Sequence, residues 1–205
     1  MPEQVTQIDD TTTSALERLI QQATERSMSN LSQMLGTAIA TERFSVRKAA
    51  LTEISQLVGG PEVVSVGIYL SVSGDADGHI MLIYEPEVAY ALVDLMMMQP
   101  PNTTTALGDM ESSALGELGN VIGASFLNVI ADAAGVGLKP SPPAVLMDMA
   151  GSLMDIVVSD MLPHQTHTLI AETVFRAPDR EISGSFFVMA SDQLLGALSG
   201  WAQAT

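Results

Sequence analysis

Three polar side chains share one face of a helix that the sequence predicts near the middle of the chain, namely Ser113, Glu117 and Asn120. Their spacing of four and then three residues aligns them as a stripe along the helix surface. Leu115 and Leu118 begin a second stripe at helical spacing, which predicts the buried side of the same helix. A carboxylate and a carboxamide one turn apart can hold a partner's cation and a water molecule side by side. The stripe is therefore the first candidate site.

The stripe has a second interpretation that rests on the residues alone. Charged and amide side chains on an exposed helix face are by default a solvated surface. Asn is a poor helix former, however, so Asn120 in the interior of a helix conflicts with local preference. Such conflicts are expected at functional positions. The residues by themselves leave both interpretations open.

The chain repeats one order of elements twice, at a spacing of about one hundred residues. Each half is predicted to run helix, short extended segment, second helix, β-hairpin and third helix, from hydrophobic periodicity and turn signals. In the first half we predict helices at 14–38, 47–57 and 86–98 and a hairpin at 63–72 and 79–84. In the second half we predict helices at 111–134, from Pro142-Pro143 to about 160 and at 191–201, and a hairpin at 168–176 and 183–190.

These elements predict an α+β fold, internally duplicated, in which one sheet is covered by helices and the two halves are related by pseudo-two-fold symmetry. We expect a single domain over 1–205. Within it, residues 1–13 form a flexible N-terminus, residues 14–99 the first half and residues 106–205 the second half. The loop between the halves joins them as parts of one packed unit.

Composition excludes several classes of function. The 205 residues carry a formal charge of −16 and the eight Lys and Arg are scattered, which argues against a nucleic-acid surface and an anionic membrane surface. The chain has no Cys, which excludes disulfides, thiolate metal sites and a Cys nucleophile. The N-terminus has no basic and apolar signal segment, and no unbroken run of about 18 apolar residues predicts a membrane span. We expect a cytoplasmic protein.

Two other groups of residues could hold a metal by residue type. Asp75 and Asp77 resemble the start of a calcium loop, but the twelfth position is Pro86, so a turn is the better interpretation. His164 and His167 have no Cys or carboxylate at ligand spacing. We therefore expect no metal site and no cofactor bound by the chain itself.

The stripe and its place in the chain resemble the signature of the CheC/CheX/FliY family of chemotaxis phosphatases. That signature is Ser/Asp-x3-Glu-x2-Asn at the start of a long helix, which Ser113, Glu117 and Asn120 match. A Gly-Asp-x-x-Gly hairpin at 74–78 and the Pro142-Pro143 pair extend the resemblance over most of the chain. The resemblance is closest to CheC.

The resemblance implies a protein aspartyl-phosphate phosphatase whose substrate is a phosphorylated CheY-type response regulator. It implies that Asn120 orients the attacking water and that Glu117 pairs with the lysine of the regulator's active site. Ser113 would support the helix or contact the partner. No cofactor of the protein's own is needed, because the regulator supplies the Mg²⁺, the lysine and the leaving carboxylate.

The first half departs from the signature. Ser14, Arg18 and Gln21 take the corresponding places in its first helix. Arg18 would repel the lysine that a Glu attracts, and Gln21 keeps an amide on a longer arm. We therefore predict one competent site, in the second half, with the first site degenerate.

The resemblance also implies a second partner, the receptor deamidase CheD, with Asp148 in the predicted helix after Pro142-Pro143 as the candidate contact. An aspartate on the solvent side of an amphipathic helix is the alternative explanation of that residue. Two alternatives to a phosphatase stay open. One is a non-catalytic adaptor that binds CheD or a response regulator, and the other is a structural part of the flagellar switch.

Overall fold

The structure of the protein is a computed structural model. It describes residues 10–57, 60–177 and 182–204. The segment predicted as a flexible N-terminus, 1–13, lies outside the described residues as far as residue 9, and residues 10–13 belong to the first helix.

The described chain alternates helices and strands in the predicted order. The first half contributes α1 (Asp10–Leu35), β1 (Ala40–Ala50), a short 3-10 helix (Leu51–Gln56), β2 (Val64–Gly74), β3 (Gly78–Tyr84) and α2 (Pro86–Met96). The second half contributes α3 (Asp109–Ala134), β4 (Leu138–Pro140), β5 (Ala144–Met149), α4 (Ala150–Met161), β6 (His167–Ala177), β7 (Ile182–Ala190) and α5 (Asp192–Ala204).

The strands form one antiparallel sheet, which confirms the predicted fold class. Its order is β1-β6-β7-β3-β2-β4, and β5 also pairs with β2. From β1 to β5 the strands follow the order β1-β6-β7-β3-β2-β5. Exchanging β1, β2 and β3 with β5, β6 and β7 gives the same order, read from the other end. At its centre Met81 of β3 pairs with Phe187 of β7. This symmetry is what a duplicated chain would produce, and the duplication itself stays a prediction.

Helices cover both faces of the sheet, so the fold has three layers. On one face α1, α2, α3 and α5 bury the main core, in which Ile68 and Leu70 of β2 lie against Phe126 of α3. On the other face α4 and the 3-10 helix bury a smaller core around Leu153, Ile54 and related apolar residues. Side chains alternate between these cores along each strand because successive residues point to opposite faces.

Two predicted helices are wrong in part, and both errors have the same cause. The helix predicted at 47–57 is the end of β1 as far as Ala50, followed by the 3-10 helix. The helix predicted from Pro142-Pro143 begins only at Ala150, because residues 144–149 form strand β5. Each segment pairs with a strand far away in the chain, and short apolar runs do not reveal such pairing.

The backbone of α3 packs directly on the Ile68 and Leu70 side chains of β2. A Cβ at Gly119 would lie 2.5 Å from Cγ2 of Ile68, and one at Gly123 would lie 3.3 Å from Cδ2 of Leu70. On the neighbouring side of the helix, a Cβ at Gly116 would lie 3.5 Å from Cγ of Pro143. Glycine at these positions lets the helix backbone approach the strand closely.

Among the described helices, α3 is long and apolar enough to span a membrane by length and composition. In this fold 56% of its apolar window is buried, as in the core helix of a globular protein.

We expect Gly119→Ala to destabilise the fold. The added methyl group would overlap Ile68, and overpacking of this kind costs about 1–3 kcal/mol. The matched control is Gly196→Ala on α5, where an added Cβ meets nothing within 4 Å and where alanine favours the helix by up to about 1 kcal/mol. Urea denaturation should rank Gly119→Ala below wild type and Gly196→Ala level with or above it. Equal stability of the two variants would contradict the close approach.

Candidate functional site

Ser113, Glu117 and Asn120 lie in the N-terminal part of α3, and all three are exposed. Leu115 and Leu118 between them are fully buried, so the predicted division of the helix into two stripes is confirmed. The exposed stripe is narrow, because the glycine side of α3 faces the sheet and edge strand. It continues through Asn128 towards the C-terminal end of the helix.

Glu117 and Asn120 are not engaged within the protein. Among the residues that the structure describes, neither side chain has a hydrogen bond or an ion pair. Their donors and acceptors are exposed to solvent, and binding would break no hydrogen bond or ion pair within the described part of the chain. An amide and a carboxylate presented one turn apart on a buried helix form a rigid polar surface.

α1 holds α3 in place through two interhelical hydrogen bonds. The Ser27 hydroxyl donates to the Ile122 carbonyl at 3.0 Å, two residues after Asn120. Asn30 Nδ2 donates to Ser125 Oγ at 2.6 Å, and that hydroxyl donates in turn to the Val121 carbonyl at 2.6 Å. Both bonds between α1 and α3 join residues 95 apart, so the two helices run in the same direction where they touch.

The start of α3 is set by the segment that joins the two halves. Asp94 of α2 is buried, and its carboxylate accepts the backbone N–H groups of Thr104 at 2.8 Å and Thr103 at 3.0 Å. Closer to the helix, the Glu111 carboxylate accepts the Gly108 N–H at 3.0 Å, as a capping residue does. Burial raises the pKa of the Asp94 carboxyl, but the hydrogen bonds from Thr104 and its neighbours together hold that pKa below its ordinary value.

The corresponding residues of the first half form a different surface. Arg18 and Gln21 are exposed on α1, as is Ser14. Gln21 is already engaged, because its Nε2 donates to Oε1 of Glu25 at 3.0 Å. The α1 surface thus presents a guanidinium and an occupied amide where α3 presents a carboxylate and an unengaged amide.

Asp148 is exposed as expected, but it lies on strand β5 and not on a helix. Its Oδ1 accepts the Met149 N–H at 2.7 Å. It pairs in register with Ser65, which lies two residues before Gly67 on the same face of β2, and a Cβ on Gly67 would touch Leu153 of α4. Asp148 therefore faces the α4 side of the sheet, and the structure does not bring it together with the stripe on α3.

The residues considered for a metal are dispersed. Asp75 caps a turn, because its Oδ2 accepts the Gly137 N–H at 2.7 Å and its own N–H donates to the Gly137 carbonyl at 2.9 Å. His167 opens β6, where its Nδ1 lies 3.1 Å from the Thr166 hydroxyl. Within 10–57, 60–177 and 182–204 no three His, Cys, Asp or Glu side chains are grouped as metal ligands would be.

Sequence reasoning missed a polar cluster around the buried His79 on the α4 side of the sheet. His79 Nδ1 lies 3.0 Å from the Tyr69 hydroxyl and its Nε2 lies 3.4 Å from Oδ2 of Asp160. Burial lowers the pKa of His79 below its ordinary value, and the carboxylates of Asp160 and Asp77 oppose this. The signal was a lone polar residue in the otherwise apolar strand 78–84. The cluster lies across the sheet from α3.

The fold and the site together define a class: a helix-covered antiparallel sheet that offers a carboxylate–carboxamide stripe to a partner. Comparison with known proteins shows what this chain is similar to. Residues 110–147, which contain the stripe, match the model of the CheC-like family. The chain is 28% identical over 167 residues to the CheY-P phosphatase CheC of Bacillus subtilis (strain 168), covering 80% of each protein.

Solved structures share the fold. Thermotoga maritima FliY superimposes with a TM-score of 0.69 at 16% identity, covering 97% of this chain and 99% of that one. A CheX–CheY–BeF3–Mg²⁺ complex from Borrelia burgdorferi matches with a TM-score of 0.54 at 16% identity, covering 85% and 97% of the two chains. The predicted resemblance to the CheC/CheX/FliY family is therefore confirmed.

We expect Asp94→Asn to lower the free energy of unfolding at pH 7 by about 1–2 kcal/mol, because a charged acceptor of two backbone N–H groups is lost. The folded pKa of Asp94 is depressed, so its stabilising effect is present above the unfolded value of 3.8 and is lost as pH falls through the folded pKa. The gap between wild type and variant should therefore narrow below pH 3.8. Urea denaturation across pH measures this, with exposed Asp132→Asn as control. A gap that is constant with pH would exclude the ionised carboxylate as the cause.

Proposed function

We propose that the protein hydrolyses the aspartyl phosphate of a CheY-type response regulator at the stripe on α3. The observation that carries the proposal is the pair Glu117 and Asn120, exposed, unengaged within the described residues and mounted on a helix that is otherwise buried. The family match covers this part of the chain, and the Bacillus relative is named as a phosphatase for CheY-P. A cytoplasmic location goes with this proposal, because the chain would work on a signalling protein.

In the proposed mechanism the Asn120 side chain positions one water. Its carbonyl oxygen accepts a hydrogen bond from the water, its amide group donates a hydrogen bond to a phosphoryl oxygen, and the protons of the water stay with the phosphate product. The water oxygen attacks phosphorus, the bond from phosphorus to the aspartyl oxygen breaks, and aspartate and inorganic phosphate leave. Phosphoryl transfer needs mainly positioning and charge stabilisation, so one amide at the right place is an adequate contribution.

Glu117 would set the docking register. Its carboxylate pairs with the lysine of the regulator's active site, which places Asn120 over the phosphoryl group three residues further along the helix. Ser113, one turn before Glu117, contacts the partner or supports the helix. The Mg²⁺ belongs to the regulator, as in the Borrelia complex of CheX with CheY, BeF3 and Mg²⁺. The chain then needs no metal site of its own.

The site in the first half would be degenerate. Arg18 repels the same lysine, and the Gln21 amide is held by Glu25. We therefore assign one competent site, in the second half of a single duplicated domain.

The test is the decay of ³²P-labelled regulator with and without the protein. We expect wild type to accelerate the decay and Asn120→Ala to lower kcat by about 10²-fold or more, as loss of one precisely aimed dipole does. Asn128→Ala is the matched control, because it removes an exposed amide from the same face of α3. Normal turnover by Asn120→Ala, or an equal loss in Asn128→Ala, would overturn the assignment.

A non-catalytic adaptor is the second candidate, and the exposed edge strand β5 favours it. An edge strand can bind a partner by strand addition, and Asp148 is exposed on it. In this case the partner would be a receptor deamidase of the CheD type. We expect Asp148→Lys to weaken deamidase binding by about tenfold and to leave the phosphatase rate unchanged. Unchanged binding in a titration with the purified deamidase would remove Asp148 from the interface.

A further inference from the structure

Strand β5 presents different side chains to its two sides. Leu146 and Asp148 face the α4 side, whereas Val145, Met147 and Met149 face the α3 side, opposite Ile68, Val66 and Val64 of β2. Towards the start of β2 this second side is uncovered. Val64 is 50% exposed, Met147 49% and Met149 45%. We call Val64, Met147 and Met149 the edge-strand strip.

The strip is continuous with the stripe on α3. Gly116, between Ser113 and Glu117, faces Pro143 immediately before β5. Gly119, next to Asn120, faces Ile68, and the register partner of Ile68 is Val145. The beginning of β5 thus lies along the base of the Glu117–Asn120 turn, and Met147 follows on the same side of the strand.

The strip is an open margin of the main core. Val66, the register partner of Met147, is fully buried in that core. Large apolar side chains at an unprotected sheet edge are an association hazard that proteins usually remove with charge. On β5 the single charge, Asp148, faces the other way. The α3 side of β5, next to the candidate site, is therefore apolar and exposed, with no charged residue of β5 on it.

We propose that the edge-strand strip is the apolar part of the surface that binds the receiver domain of the response regulator, and this rests on the proposed function. A stable interface buries about 800 Å² per partner, which is much more than three polar side chains on a narrow helical stripe can cover. The strip supplies apolar area on one side of the stripe, and its methionines can adapt to the partner's shape. The polar residues then set register and chemistry while the strip provides affinity.

The experiment measures the affinity of the protein for the receiver domain loaded with BeF3⁻ and Mg²⁺, by calorimetry, and the kinetics of dephosphorylation. The variants are Met147→Lys and, independently, Met149→Lys. Leu146→Lys is the first control, because Leu146 is 37% exposed and the substitution adds the same charge to the same strand on the side that faces α4. Leu162→Lys is the second, because Leu162 is 49% exposed at the end of α4.

We expect each methionine variant to weaken receiver binding and raise KM by about tenfold, with kcat within about twofold of wild type. The two controls should stay within about twofold in both parameters. Unchanged affinity in both folded methionine variants would overturn the proposal, as would an equal loss in Leu146→Lys. A methionine variant that instead alters self-association of the protein would assign the strip to contacts between copies, and would also overturn it.

The same measurements distinguish failure of the proposed phosphatase function from failure of the edge-strand strip as a binding surface. If wild type binds the BeF3⁻-loaded receiver but does not accelerate decay, the phosphatase assignment falls, while the affinities still test the strip. If wild type does not bind the receiver at all, both proposals fall together.

Discussion

The close approach of α3 to β2 is the constraint on which the rest of the structure depends. At Gly119 there is no room for a Cβ beside Ile68, so the helix backbone lies directly against the Ile68 side chain of β2. The contact buries the apolar side of α3 and leaves a narrow polar stripe in solvent. It also fixes the height and rotation of the helix, because a helix that packs backbone against sheet has little freedom to roll. The side chains of Ser113, Glu117 and Asn120 are therefore carried by a helix that is held in a fixed position.

The rest of the molecule supports this one placement from three directions. Ser27 and Asn30 of α1 hold α3 from the side, by bonds to the turns just after Asn120. The Asp94 carboxylate anchors the segment before α3 by accepting the backbone N–H groups of Thr103 and Thr104. β5 closes the remaining side at Pro143. The proposed site, which would orient one water and pair with one partner lysine, depends on such support, since misplacement by about 1 Å costs much of the rate.

The strand order of the sheet is symmetric, whereas the exposed surfaces of α1 and α3 are different. Two similar halves build a sheet whose order is unchanged by their exchange, and both halves place a long helix on the same face. The exposed residues of the two long helices differ. On α1 the amide of Gln21 is held by Glu25, while on α3 that of Asn120 is unengaged in the described structure. Core packing constrains both helices in the same way, whereas exposed positions are free to differ.

The sequence by itself determined the elements with strong local signals. Long periodic helices such as α3, the hairpins with Gly and Asp turns, and the stripe of Ser113, Glu117 and Asn120 follow from spacing along the chain. Only the tertiary structure decided that 144–149 is a strand, that Asp148 faces away from α3 and that Met147 lies on the α3 side of the sheet. These facts depend on pairing with β2, some eighty residues away in the chain. A short apolar run has no periodicity that distinguishes strand from helix, so its conformation is set by the partner that it meets.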